Sequence, residues 1–205
     1  MVAIIDYGVG NLFSLKSSLA YINEEAVVTS DPDVIASASH MILPGVGAFP
    51  DAAKKLFGSG MADVVKAEVA KGKPLLGICL GMQMLHTKSF EYGECEGLGF
   101  IPGEVVDMTP EVDAALKVPH IGWNALTFKG EKSKLYKYIN EGDCVYFVHS
   151  FYAKADKECV SAVTEYSIPL TASVEKGNVY GTQFHPEKSG KVGLNILRAF
   201  CEIGG

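Results

Sequence analysis

The stretch Lys73-Pro-Leu-Leu-Gly-Ile-Cys-Leu-Gly-Met-Gln-Met-Leu85 decides how the rest of the chain is read. Leu75 to Ile78 form a short apolar run entered from Pro74, the mark of a buried strand, and Leu80 to His86 is expected to be helical. Cys79 falls at the junction, flanked by Gly77 and Gly81. Gly-x-Cys-x-Gly is the cysteine counterpart of the nucleophile elbow, whose glycines let the backbone turn sharply and leave the reactive atom exposed above a sheet. At a helix N-terminus the unsatisfied N–H groups favour a thiolate, and the Leu80 N–H is placed to donate to an oxyanion on a substrate carbonyl. A free cysteine is more often a small buried residue, so this reading requires acid–base partners elsewhere in the chain.

Upstream, Val2-Ala-Ile-Ile5 reads as a buried strand, and Leu12, Leu15, Leu19 and Ile22 recur at helical spacing. The loop between them, Asp6-Tyr-Gly-Val-Gly-Asn11, lacks the third glycine of a dinucleotide fingerprint and the Gly-Lys-Ser/Thr of a phosphate loop. Ala26 to Thr29 and His40 to Leu43 supply two more strands, with a short helix after Asp31-Pro32. Pro44-Gly-Val-Gly-Ala-Phe49 then puts glycines at a strand's C-terminal end, the edge where open α/β sheets bind ligands. Gly45, Val46 and Gly47 are candidates for the second half of an oxyanion hole beside Leu80. Phe49 to Lys71 is helical, interrupted at Gly58-Ser-Gly60.

Beyond residue 86 the character changes. Val105-Val106, Val118 to Leu126, Asp143 to Val148, Cys159 to Thr164, Leu170 to Val174 and Val179 to Phe184 read as strands, with Gly177-Asn178 as a tight hairpin turn. The fold class is α/β: three layers, α/β/α, around a mixed sheet with a parallel first half and an antiparallel second half. Ser189 to Cys201 closes it as a helix burying Val192, Ile196 and Phe200.

In the last strand a period of two places Gln183 and His185 on one face, with Glu187 at the same parity beyond Pro186. A thiol nucleophile needs a base for its proton and an acid for the leaving group, and one histidine oriented by a carboxylate serves both. Cys79, His185 and Glu187 have those types; His149, after the strand ending at Val148, is the competing base.

With 205 residues, 48% of them hydrophobic, the chain is expected to form one domain over 1–205. A formal charge of −6 without a Lys/Arg cluster argues against nucleic acid as a partner, and the absence of a basic leader or a long apolar run against a membrane. Five scattered cysteines in odd number lack metal-ligand spacing, so a reducing cytoplasmic setting, no metal and no cofactor are expected.

Together, Gly77-Ile-Cys-Leu-Gly-Met-Gln83 and Gln183-Phe-His-Pro-Glu187 resemble the signature of class I (triad) glutamine amidotransferases. The Asp6 to Asn11, Pro44 to Phe49, His120-Ile-Gly-Trp-Asn124, Tyr146-Phe-Val-His-Ser150 and His185 to Ser189 motifs extend the resemblance along the chain, toward glutaminase subunits of imidazole glycerol phosphate synthase. That resemblance implies hydrolysis of L-glutamine to glutamate and ammonia, the ammonia passing to a separate (β/α)8 cyclase subunit in histidine biosynthesis. It carries substrate contacts to Gln83 and Glu91 and, mainly through backbone, to His149, Ser150 and Phe151. It also implies that the cyclase covers the mouth of the site in a heterodimer, where Asn11, Trp123 and Lys188 would lie. The alternatives are another class I glutaminase, a stand-alone cysteine hydrolase of γ-glutamyl compounds, and a degenerate binding module, which would be expected to have lost Cys79, His185 or Glu187.

Overall fold

The computed structural model describes residues 1–204. Its first part alternates strand and helix: β1 (Val2–Ile5), α1 (Leu12–Tyr21), β2 (Ala26–Thr29), α2 (Pro32–Ser37), β3 (His40–Leu43), α3 (Phe49–Gly58), α4 (Met61–Ala70), β4 (Leu75–Ile78) and α5 (Leu80–Met84). Strands then dominate: β5 (His86–Ser89), β6 (Cys95–Glu96), β7 (Ile101–Asp107), β8 (His120–Ala125), β9 (Thr127–Phe128), β10 (Cys144–His149), β11 (Phe151–Ala155), β12 (Val160–Tyr166), β13 (Ile168–Lys176) and β14 (Val179–Thr182). The helix α6 (Gly190–Cys201) ends the fold.

The main sheet runs β2-β1-β3-β4-β14-β13-β12-β9. Pairing is parallel from β2 to β14 and antiparallel from β14 to β9. β1, β3 and β4 are buried at every position, as strands covered on both faces must be, and so read as unbroken apolar runs. Their side chains alternate. Ala3, Ile5, Met41 and Leu43 pack with Phe49, Leu56 and Val65 of α3 and α4, whereas Val2, Ile4 and Ile42 pack with Leu15 and Leu19 of α1 and Ile196 and Phe200 of α6. These are the three expected layers.

Several boundaries differ from the sequence reading. The helix expected to reach His86 stops at Met84: the His86 ring turns back, its Nδ1 3.1 Å from Met82 O and 3.3 Å from Gln83 O, and its backbone starts β5. The antiparallel half is not one continuous sheet. β8 and β10 form a separate ribbon, and β7, expected only at Val105-Val106, belongs with β5, β6 and β11 to a four-stranded sheet. The strand expected from Val118 starts at His120, after Pro119, which has no N–H for a ladder. The last strand stops at Thr182 rather than Phe184. The turn at Gly177-Asn178 is a two-residue hairpin, closed by the Lys176–Val179 pair with Gly177 at φ +61°. Among the described residues no helix is long and apolar enough to cross a membrane.

Candidate active site

β4 delivers Cys79 to the sheet's C-terminal edge, where it N-caps α5 at φ +55° and ψ −112°. That conformation costs a non-glycine residue roughly 1–3 kcal/mol and is held by the surroundings. The Cys79 N–H donates to Thr182 O at 2.7 Å, while Gln83 N–H donates to Cys79 O at 3.1 Å. The glycines allow backbones to touch. A Cβ on Gly81 would lie 1.9 Å from Leu43 O, one on Gly77 2.7 Å from Gly81 O, and one on Gly45 2.7 Å from Gly81 N. The Pro44–Gly47 loop is thereby pressed against the elbow, with Val46 and Gly47 exposed beside Leu80 on one cleft.

His185 and Glu187 do not reach Cys79 by continuing a strand. A 3-10 turn, Pro186–Lys188, folds the chain back so that Glu187 Oε1 lies 2.8 Å from His185 Nδ1, both side chains buried. His185 is anchored by its N–H to Tyr146 O at 3.0 Å and its carbonyl to Ser189 Oγ at 2.6 Å. Burial is the largest single influence on the ring and lowers its pKa; hydrogen bonding and charge from Cys79 and Glu187 together outweigh it and raise it to about 9. Cys79 and Glu187 thus favour the protonated form of the ring, whose Nδ1 is turned to Glu187.

The competing base, His149, has both ring nitrogens engaged, with Nδ1 2.9 Å from Phe151 O and Nε2 3.1 Å from His120 Nδ1. Burial pushes its pKa down to about 3, so it is neutral and without a free nitrogen for the thiol.

An open cleft of about 390 Å³ gathers Cys79, Leu80, His185, Val46 and Gly47 with the expected substrate contacts Gln83, Glu91, His149, Ser150 and Phe151. Two of these side chains have other work. Gln83 Nε2 donates to Phe151 O and to Gln183 Oε1, each at 3.0 Å, and Glu91 Oε2 accepts the Phe49 N–H at 2.8 Å. Burial raises the Glu91 carboxyl pKa. Tyr92, Pro119 and Val148 also line the cleft without having been singled out; Tyr92 sits in a loop at φ +55° and carries no motif that would mark it. Lys188 stands on the rim, its Nζ 5.9 Å over the Tyr146 ring, and the exposed Trp123 ring lies 5.8 Å from the same tyrosine. Asn11 is separate from this cleft: it N-caps α1, its Oδ1 3.4 Å from Ser14 N, and borders a small cavity behind His185 and Glu187.

A strained cysteine elbow, a buried histidine–carboxylate pair and a glycine loop on one cleft form a constellation for acyl transfer through a thioester. The family model for class-I glutamine amidotransferases matches residues 3–203. The chain is 51% identical over 204 residues to imidazole glycerol phosphate synthase subunit HisH of Caldanaerobacter subterraneus subsp. tengcongensis, covering 99% of this chain and 98% of that protein. It is 47% identical to the subunit of the same name in Geobacter metallireducens, covering 98% and 97% of the two chains. A solved structure described as a glutamine amidotransferase superposes with a TM-score of 0.76 at 21% identity, over 98% of each chain, a likeness of fold alone. The chain belongs to the class-I glutamine amidotransferases, in the family of imidazole glycerol phosphate synthase subunit HisH.

Proposed function

We propose that the protein is the glutaminase subunit of imidazole glycerol phosphate synthase, and that Cys79, His185 and Glu187 are its catalytic triad. The observation carrying this is the buried His185–Glu187 pair, 2.8 Å apart, facing a cysteine held in a strained elbow. The Cys79 sulfur attacks the side-chain amide carbon of glutamine. Negative charge on the amide oxygen is received by the Leu80 N–H and by the loop N–H groups at Val46 and Gly47. His185 protonates the departing nitrogen, and ammonia leaves a γ-glutamyl thioester on Cys79. His185 then takes a proton from the attacking water, the C–S bond breaks, and glutamate is released. Gln83, Glu91 and the backbone at His149, Ser150 and Phe151 bound the space that glutamine occupies.

The ammonia is handed to a cyclase subunit docked over the cleft, which makes imidazole glycerol phosphate. The test is ammonia release from glutamine by the purified chain, alone and with the cyclase subunit and its nucleotide substrate. Stimulation by the partner is the expected result. Full activity without the partner would instead favour a stand-alone γ-glutamyl hydrolase.

A further inference from the structure

Gln183 is completely buried between the elbow and the cleft wall, and the groups around it fix its amide orientation. Phe151 O only accepts hydrogen bonds, so the Gln83 atom 3.0 Å away must be the donating Nε2. The same Nε2 lies 3.0 Å from the Gln183 side chain and spends its second hydrogen there, which makes that atom Oε1. The other end of the amide, Nε2, is thereby turned to Cys79 Sγ at 3.8 Å. Both backbones are tied down: Cys79 N–H donates to Thr182 O at 2.7 Å and Gln183 N–H to Ala172 O at 2.8 Å.

We propose that Gln183 is a second hydrogen-bond donor to the nucleophilic sulfur, aimed by Gln83. This rests on Cys79 being the nucleophile. With the His185 ring and the Gln183 amide both at the sulfur, thiolate charge is stabilised in the free enzyme. The donor acts again in deacylation, when the thioester C–S bond breaks and its electron pair returns to Sγ. A donor to an anionic acceptor in a buried site is worth more than the same contact in water. Of the other titratable groups near the sulfur, burial pushes the His149 pKa down to about 3, and burial first and Cys79 second raise that of Tyr7, whose hydroxyl donates to Pro44 O at 2.7 Å, so both stay neutral; Glu91 and Lys188 share the cleft.

The test uses the complex with the cyclase subunit and the variants Gln183→Leu and Gln183→Glu. Alkylation of Cys79 by iodoacetamide is followed against pH, with kcat and KM for glutamine and thermal unfolding measured beside it. Removing the donor in Gln183→Leu is expected to move the pH midpoint of alkylation up by about one unit and lower kcat about tenfold, with KM little changed. The near-isosteric Gln183→Glu places a carboxyl group against the sulfur and is expected to shift the midpoint further. Unchanged midpoints in folded variants, whatever happens to activity, would overturn the proposal and leave Gln183 a packing residue. Retained glutaminase activity in Cys79→Ala would overturn the underlying reading instead, a separate result.

Discussion

At the residue scale the site turns on His185, whose ring is poised by two acidic neighbours against the cost of its own burial. Its folded pKa, about 9, lies above the ordinary 6.5, so the protonated ring contributes stability that is fully present below pH 6.5 and is lost as pH rises through about 9. Urea midpoints of the isolated chain are expected to fall between pH 7 and 9.5, and to fall less in His185→Gln. Cys79→Ala is expected to abolish glutamine-dependent synthesis by the reconstituted pair while sparing synthesis from added ammonia, because ammonia bypasses the missing nucleophile. Loss of both activities alike would contradict that division of labour. His185→Ala should match it, and Glu187→Gln should retain more activity, since the imidazole keeps a neutral acceptor at Nδ1. The proposed triad residues sit in local patterns, a Gly-Cys-Gly elbow and His-Pro-Glu, which is why the sequence alone offers them as candidates. The contact of Gln183 with Cys79 joins residues 104 apart in sequence, and no local pattern announces it.

At the scale of elements, strands with an unbroken apolar run or a clear turn were readable, and those defined only by their partners were not. β5 (His-Thr-Lys-Ser) is polar enough to look like a loop, and β6 is two residues long. β11 follows β10 across Ser150 alone, so nothing in the sequence shows that β10 pairs with β8 while β11 crosses to β7. The elbow glycines, by contrast, were read correctly and for a reason that can be measured. Gly81→Ala drives a methyl into Leu43 O, 1.9 Å away, and against the Leu43–Pro44 backbone, which cannot swing aside as a side chain can, so it should cost about 3 kcal/mol in urea unfolding. Gly47 has open space around its Cβ position but φ +91°, so Gly47→Ala should cost only about 1 kcal/mol. Glutaminase activity should nevertheless drop by about 10²-fold, the scale of one lost oxyanion donor, because the strain shifts the loop's N–H groups. A fall in activity no greater than the stability change accounts for would remove Val46 and Gly47 from the proposed oxyanion hole.

On the whole-molecule scale, the cleft opens at the sheet's C-terminal edge, and near its rim the β8–β10 ribbon carries exposed apolar side chains. Trp123 is 55% exposed and Ile121 59% exposed, two residues apart on β8 and so on one face of the β8–β10 ribbon. Tyr146 of β10 lies opposite Trp123 in register and carries the Lys188 ammonium over its ring. Lys188 is adjacent in sequence to Glu187, so a partner that engages Trp123 and Lys188 has a short covalent path to the proposed triad. An exposed tryptophan at the centre of such a patch is a common hot spot, and truncating it typically costs ~2 kcal/mol or more of binding. Trp123→Ala and Lys188→Ala are therefore expected to weaken the complex with the cyclase subunit by calorimetric titration and to lower stimulated glutaminase activity. Circular dichroism of the isolated chain should be unchanged, because neither side chain belongs to the core. Asn11 is the weakest member of the expected docking set: its side chain caps α1, so Asn11→Ala should lower stability by about 1 kcal/mol whatever it does to binding. If both rim variants bind and couple like the parent, the partner docks away from the Trp123–Tyr146–Lys188 cluster.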